Sequence, residues 1–431
     1  NRAINKRIRT KIMQLVEKHN IKKSHSLYKE IDGLCFLAKN LYNKANYIVR
    51  QDFIKTSKEK EEGLTEHANW IKYFQLQRQL QNDKDFDYNQ LPAKVSQQVL
   101  RILDYNWKSF FKSINDWSRN KNKYTGKPSL PNYKHKTKGR AVLTYTIQAI
   151  SKVELRKGIV KLSGTNIKIK TKQDINNIQQ VRVVPKIGYY TIEIIYNKAE
   201  VINENLDKNR IAGIDLGLNN LATVTSNIKE LKPIIINGKP LKSINQYYNK
   251  KKAKLQSYVG DKATSNKLSK LTNKRNRKVD NYLHNVSRWI VNYCNENNIG
   301  TIVIGKNKQW KTNINIGKRN NQSFVNIPHA KLIDMINYKC KLIGANIIVT
   351  EESHTSKCSF IDFEEIKHHE IYLGKRKHRG LFISKEGVKI NADCNGSGNI
   401  IRKVFPNAFD DNGIQGVVVR PIRINPYKLA S

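Results

Sequence analysis

The sequence predicts a multidomain α+β protein in three parts: a helical module, a small β-barrel and a mixed α/β layer. Three observations predict it. Apolar residues recur at helical spacing between Leu27 and Trp117. Short alternating runs fill 141–197, and from Arg210 onward strands alternate with long helices.

Residues 1–25 are basic and follow no clear period. From Leu27 the apolar set Leu27, Ile31, Leu34, Ala38, Leu41, Ala45 and Ile48 steps by fours and threes, which makes one buried stripe on a helix. A polar stretch follows at 55–63. A second helix carries Val99, Leu103, Trp107, Phe110, Ile114 and Trp117, with Pro92 just before it and Ser96 as a candidate N-cap. Together they give a helical module of about a hundred residues, an ordinary domain size. Its aromatic residues follow the helical period, which assigns them to the core rather than to base stacking.

The segment 121–140 is basic and holds Gly126, Pro128, Pro131 and Tyr133. It reads either as an ordered loop on a polyanion surface or as a solvated linker. Strands are expected at 159–163, 167–172, 180–185 and 189–196. Several short strands at this spacing suggest a small barrel.

In the last part, strands are expected at 211–215, 221–226 and 234–236. Basic helices follow at 243–258 and 264–297. Then come a strand at 301–304, a helix at 330–343, a strand at 345–350 and a helix from Asp393 to Val404. Three meandering strands followed by alternating helix and strand is the order of an RNase H-like layer.

The composition constrains the partner. The 431 residues include 79 Lys plus Arg against 35 Asp plus Glu, a formal charge of +44. That charge is spread along the chain, so the protein needs a polyanion over an extended basic surface; nucleic acid is the expected one. Hydrophobic residues are 39% of the chain, enough for real cores. No run approaches the ~20 apolar residues of a membrane span, and no secretory signal is visible. The five cysteines, 35, 294, 340, 358 and 394, lack paired spacing and fit free thiols in a reducing compartment.

Carboxylates carry the candidate chemistry. Asp215 ends an apolar strand within Gly213-Ile214-Asp215-Leu216-Gly217, where it can touch a metal or cap the turn. Asp393 lies among small residues at a helix start, as a metal ligand or as an ordinary N-cap. The strand 301–304 ends in Gly305, without a carboxylate. The next strand ends in Glu351-Glu352, and alternation lets only one of these two face the site. Three such carboxylates together can hold a pair of hard divalent cations, the chemistry of phosphodiester cleavage.

The chain resembles the TnpB family of transposon-encoded RNA-guided nucleases, and the related Fanzor proteins. The resemblance rests on IAGIDLGLNNLATVTS (211–226), the Thr-Ser-Lys-Cys-Ser stretch from Thr355 to Ser359, and NADCNGSGNIIRK (391–403). Weaker matches are Phe324 to Pro328 and SQQVLRILDYNWKSFFKSINDW with KPSLPNYKHK. It implies a β-barrel (wedge) domain at 1–26 and 140–205, interrupted by a helical recognition domain at 27–139. A RuvC nuclease domain at 206–431 follows, with an insert at 356–391.

The resemblance also implies catalytic and metal-binding roles for Asp215, Glu352 and Asp393. Glu352 is the relocated second carboxylate, in the Glu-x-x-Thr-Ser-Lys register, with Glu351 as the alternative. Family members carry two Cys-x-x-Cys knuckles in the insert. Here only Cys358 remains, so structural zinc is not expected, and 359–390 reads as a basic hairpin in its place.

The implied activity is RNA-guided DNA cleavage with two Mg²⁺ ions, after guide pairing and recognition of a short flanking motif. The implied partners are a guide (omega-type) RNA and target double-stranded DNA, with no membrane and no obligate protein partner. The implied setting is intracellular and nucleic-acid-associated. The basic helices at 243–258 and 264–297, with Lys270, Lys274, Arg275, Arg277 and Lys278, are candidates to line a heteroduplex channel, or form solvated helix faces. Lys127, Tyr133 and Lys134 are further nucleic-acid-binding candidates. A nuclease-inactive guided binder, a DNA transposase and a structural RNA-binding protein are the alternatives.

Overall fold

The computed structural model describes residues 12–409, apart from 202, 204, 261–263, 308–316 and 379, and then 421–426. The chain forms two compact units, one covering Ile12–Lys198 and one running from Ala199 onward. The first eleven residues of the expected barrel lie outside the described residues.

The first unit comprises β1 (Ile12–Lys22), α1 (Tyr28–Glu61), α2 (Tyr73–Asn82), α3 (Phe86–Asn89), α4 (Ala93–Arg119), β2 (Leu143–Thr146), α5 (Lys152–Arg156), β3 (Ile159–Lys161), β4 (Lys168–Lys170), β5 (Ile178–Lys186) and β6 (Tyr189–Ala199). The predicted stripe on α1 faces the core, with Ile31, Ala38, Leu41 and Ala45 buried, and the helix continues through the polar stretch as far as Glu61. Ser96 is not the cap of α4. Pro92 occupies that position, and Ser96 is buried inside the helix, donating to Tyr88 O at 2.6 Å.

The expected closed barrel is not formed among the described residues. The strands make an open sheet in the order β1-β6-β5-β2, and β3 pairs only with β4. The sheet does not need to close, because α1 and α4 supply the apolar cover. One core joins Leu41, Leu103 and Trp107 of the helices with Leu143, Val181 and Ile192 of the strands.

The segment 121–140 is an ordered strap over its middle part. Lys39, Asn43, Asn46 and Arg50 lie on one face of α1 and donate to the backbone oxygens of Lys136, Lys134 and, for the last two, Pro131, at 2.6–3.0 Å.

The second unit comprises β7 (Asp207–Leu216), β8 (Asn220–Ser226), β9 (Ile234–Asn237), α6 (Lys239–Val259), α7 (Asn266–Glu296), β10 (Ile299–Gly305), α8 (Lys318–Val325), α9 (His329–Ile343), β11 (Asn346–Thr350), β12 (Lys375–His378), β13 (Leu381–Ile383), β14 (Lys389–Ile390), α10 (Ala392–Val404) and β15 (Ile422–Ile424). Its main sheet has the order β11-β10-β7-β8-β9-β15. The strands β7, β8 and β9 are antiparallel, whereas β10 and β11 run parallel to β7.

Alternation along β7 sorts its residues between two helical layers. Ala212, Ile214 and Leu216 enter the core shared with α7 and α9. Ile211 packs on the other face with Ile400 and Ile401 of α10. Gly213 and Asp215 share that second face by the two-residue period. The insert is a small three-stranded sheet, β12-β13-β14, rather than a two-stranded hairpin. It packs through Phe360, Phe382 and Ile390.

Candidate active site

The sheet brings three chain segments to one edge. Ile214 pairs with Ile304, and Gly305 pairs with Thr350, so the C-terminal ends of β7, β10 and β11 lie side by side. Asp215 follows Ile214 on β7, and Glu352 lies two residues beyond β11. Crevices at the carboxyl ends of parallel strands are the usual ligand-binding places in α/β sheets.

Helix α10 approaches this edge closely because its first turns are built from small residues. A Cβ on Gly213 would stand 2.6 Å from Ile401 Cγ1, and one on Gly396 would stand 3.0 Å from Asp215 Oδ2. Ser397 fixes the contact: its Oγ donates to Gly213 O at 3.0 Å and accepts from Thr225 N at 3.1 Å.

Asp215 is not a turn cap. The turn after it is closed by backbone, with Gly217 N donating to Leu221 O at 3.2 Å. Its carboxyl is held well above the usual carboxylate range. Burial is the first cause, the negative charges of Asp393 and Glu352 add to it, and Arg376 opposes it.

Asp393 is not the N-cap of α10 either. Asn391 takes that role, accepting from the backbone of Asp393 at 3.0 Å and of Cys394 at 3.3 Å. The Asp393 carboxylate is thereby left to face the edge. Asn220 donates to its Oδ2 at 2.6 Å, and the Arg376 guanidinium stands 3.6 Å from its Oδ1.

The adjacent Glu351 and Glu352 diverge, as a two-residue period requires. Glu351 is exposed, and its nearest cation is Lys403 at 4.0 Å. Glu352 turns inward over Gly305, and a Cβ on that glycine would stand 2.7 Å from Glu352 Oε2. Burial pushes the Glu352 carboxyl up to about 7, with Lys403 pulling the other way. Asn307 clamps Glu352 from both sides, accepting from its backbone N at 3.0 Å and donating to Oε1 at 3.3 Å.

The turn that carries Glu352 is tied to α10 by two buried asparagines. Asn395 donates to Cys358 O at 2.9 Å and accepts from Phe360 N at 2.9 Å. Asn399 donates to Thr355 O and Cys358 O at 2.9 and 2.8 Å. Lys403 adds bonds to Ser353 O and Oγ. None of Asn220, Asn307, Arg376, Asn395, Asn399 and Lys403 was singled out in the sequence. The asparagine spacing of four within a Gly-Ser-Gly helix start was the available signal.

Among the described residues, no three His, Cys, Asp or Glu side chains stand together as one ligand set. Asp215 nonetheless feels the negative charges of Asp393 and Glu352, which add to burial in raising its carboxyl. Oxygen donors that gather negative charge in a buried crevice suit hard divalent cations.

The basic candidates divide by surroundings. Lys270, Lys274, Arg277 and Lys278 are exposed on α7. Arg275 is less exposed: it donates to Asn245 Oδ1 at 2.8 Å and to Asn326 O at 2.7 Å, half-buried beside Tyr248. Lys127 is exposed near Trp117, and Tyr133 is exposed beneath the Arg50 guanidinium. Lys134 folds over the Tyr42 ring, and burial lowers its ammonium.

Comparison with known proteins found similar sequences and structures. A family model described as a probable transposase, OrfB_IS605, matches residues 193–311, and a Cas12f1-like TNB domain model matches 329–400. The TnpB-like protein ORF457 of Acidianus two-tailed virus is 24% identical over 439 residues, spanning 92% of this chain and 85% of that protein. A Cas12f1–sgRNA–target DNA complex covers 90% of this chain and 98% of its own, at 15% identity and TM-score 0.34. The mini-RNA-guided endonuclease Cas_phi3 covers 93% of each chain at 10% identity and TM-score 0.41. These family models and this relative together make the chain similar to TnpB-family proteins. Among the described residues, no helix is long and apolar enough to cross a membrane.

Proposed function

We propose that this protein is an RNA-guided DNA endonuclease whose RuvC-type, RNase H-like domain cuts target DNA at the Asp215, Glu352 and Asp393 edge. The observation that carries the reading is the convergence of the ends of β7, β10 and β11 with the start of α10, which places Asp215 beside Asp393 and Glu352. The three side chains would hold Mg²⁺, which supplies Lewis-acid stabilisation and an activated water for phosphodiester hydrolysis when bound.

The chain's own residues prepare that edge. Asn307 fixes the Glu352 carboxylate, and Asn220 fixes that of Asp393. Helix α10 covers the crevice, where lower local dielectric strengthens every charge interaction. Arg376 brings a cation from the insert to the same edge and offers a partner for a phosphate oxygen.

The remaining parts follow from charge and family. The net charge of +44 suits a structured guide RNA and a target duplex held together. The relatives named in the comparisons include an sgRNA–target DNA complex and an RNA-guided endonuclease. Guide pairing supplies sequence specificity, and the protein reads shape and a short flanking motif. In the three-part division, 1–26 with 140–205 serves as wedge, 27–139 as recognition domain and 206–431 as nuclease.

The test is co-expression with the native flanking DNA, followed by sequencing of bound RNA and a Mg²⁺-dependent cleavage assay on matching duplex. One abundant RNA with a variable end and guide-dependent cutting support the reading. Heterogeneous RNA, or strand transfer of transposon ends without guide, contradicts it.

A further inference from the structure

The insert is closed by one buried carboxylate. Glu364 is 4% exposed, and backbone amides take both of its oxygens. Oε2 accepts from Ser359 N at 2.6 Å, and Oε1 accepts from Leu373 N at 2.9 Å. The Glu364 backbone returns the first contact, its N donating to Ser359 O at 3.1 Å. One side chain thus joins both ends of the stretch 359–373.

The chain is bent to bring this about. Phe363, just before Glu364, holds φ at 49°, a left-handed conformation that bulky side chains rarely adopt. Residues kept in that region cluster where a segment is held for function. Here the hold comes from α10, the helix that also carries Asp393. The Arg402 guanidinium lies 5.2 Å from the Phe363 ring centre and donates to Glu364 O at 3.1 Å.

The chain beyond Leu373 leads to the carboxylate edge. Gly374 lies against the Phe382 ring, where a Cβ would stand 2.6 Å from Cζ. Arg376 pairs with Phe382 across β12 and β13, and its guanidinium reaches Asp393 Oδ1 at 3.6 Å. A carboxylate clamp, a glycine contact and a strand pairing therefore link Glu364 to Arg376.

We infer that Glu364 is a positioning residue: by closing 359–373 it sets where the Arg376 guanidinium stands at the Asp393 edge. Its partners are backbone amides, so it acts through the chain. Its effect on rate rests on the proposed cleavage, whereas the closure itself does not.

Hydrogen exchange of the full chain, read peptide by peptide, tests the closure. Glu364→Ala should speed exchange across 359–378 by at least about tenfold and leave 211–216 of β7 within about twofold of the parent. Glu364→Gln keeps one acceptor oxygen and should fall between. Single-turnover cleavage by the RNA-bound protein tests the positioning. Glu364→Ala should slow cutting about tenfold in the parent, and less than about threefold in an Arg376→Gln background. Unchanged exchange across 359–378 overturns the inference, as does equal loosening of β7. Equal losses of rate in the two backgrounds, or no loss in either, overturn the assignment to Arg376. A parent that does not cut contradicts the proposed function; exchange across 375–378 then decides whether Glu364 holds the strand of Arg376.

Discussion

The carboxylate of Glu352 occupies the space that a side chain on Gly305 would fill. A Cβ at position 305 would stand 2.7 Å from Glu352 Oε2, 3.2 Å from Glu352 Cβ and 2.6 Å from Ile400 Cδ1. The glycine at the end of β10 and the glutamate beyond β11 are therefore one feature: the first leaves room for the second.

Replacing Gly305 by Ala should displace Glu352 and lower cleavage by at least about tenfold, with RNA binding retained. The same change made in a Glu352→Ala background should cost less stability, because of the two contacts below 3.0 Å only that with Ile400 then remains. Equal losses of stability in both backgrounds, measured by chemical denaturation, would separate the two positions.

Glu352→Ala should reduce cleavage by at least about 10²-fold, whereas Glu351→Ala should stay within about threefold of the parent. The difference follows from their placement, one inward beneath Asn307 and the other exposed near Lys403.

The Glu352 shift sets a pH dependence. Its folded-state value, about 7, lies above the ordinary 4.5. The protonated form is thus favoured by folding, a contribution fully present below pH ~4.5 and lost as pH rises through ~7. Without divalent cations, Glu352→Gln should raise the melting temperature at pH 8 but not at pH 4.5, with an upper bound of about 3 kcal/mol. Mg²⁺ should stabilise the parent more at pH 8 than at pH 5.5, since protons compete for the same oxygens. Thermal denaturation with and without Mg²⁺ reads both effects.

Asn399→Ala removes two buried hydrogen bonds to the turn that carries Glu352. Chemical denaturation should show a loss of about 2 kcal/mol, and cleavage should fall further than stability alone explains.

The basic face of α7 should split in mutagenesis. Lys270→Gln, Lys274→Gln and Arg277→Gln should weaken nucleic-acid binding and flatten its salt dependence while leaving the melting temperature within about 2 °C. Arg275→Gln should lower the melting temperature, because it loses bonds to Asn245 and Asn326.

Much of the second unit was legible because its segments keep a strict period. The runs ending in Asp215 and Gly305 are apolar and short, and α7 and α9 carry clear stripes. What escaped was non-local. Strand β1 points Glu17 and His19 to its less exposed side, where they bond each other, so the alternation looked broken. Whether a sheet closes depends on the pairing of distant edges, and here α1 and α4 cover it instead. Three-residue β15 has no local signature, since its pairing with β9 alone defines it. In the site, the carboxylates were legible from strand ends and small neighbours. Their supports were not: Asn395 and Asn399 are buried polar residues, and only the partner backbone explains them.

The most direct measurement is cleavage of guide-matched duplex by the purified RNA-bound protein, comparing the parent with Asp215→Ala, Glu352→Ala and Glu351→Ala in Mg²⁺. The account predicts cutting by the parent and by Glu351→Ala, only with a matching guide, and none by the other two. Guide-independent cutting, or full activity in Glu352→Ala, would contradict it.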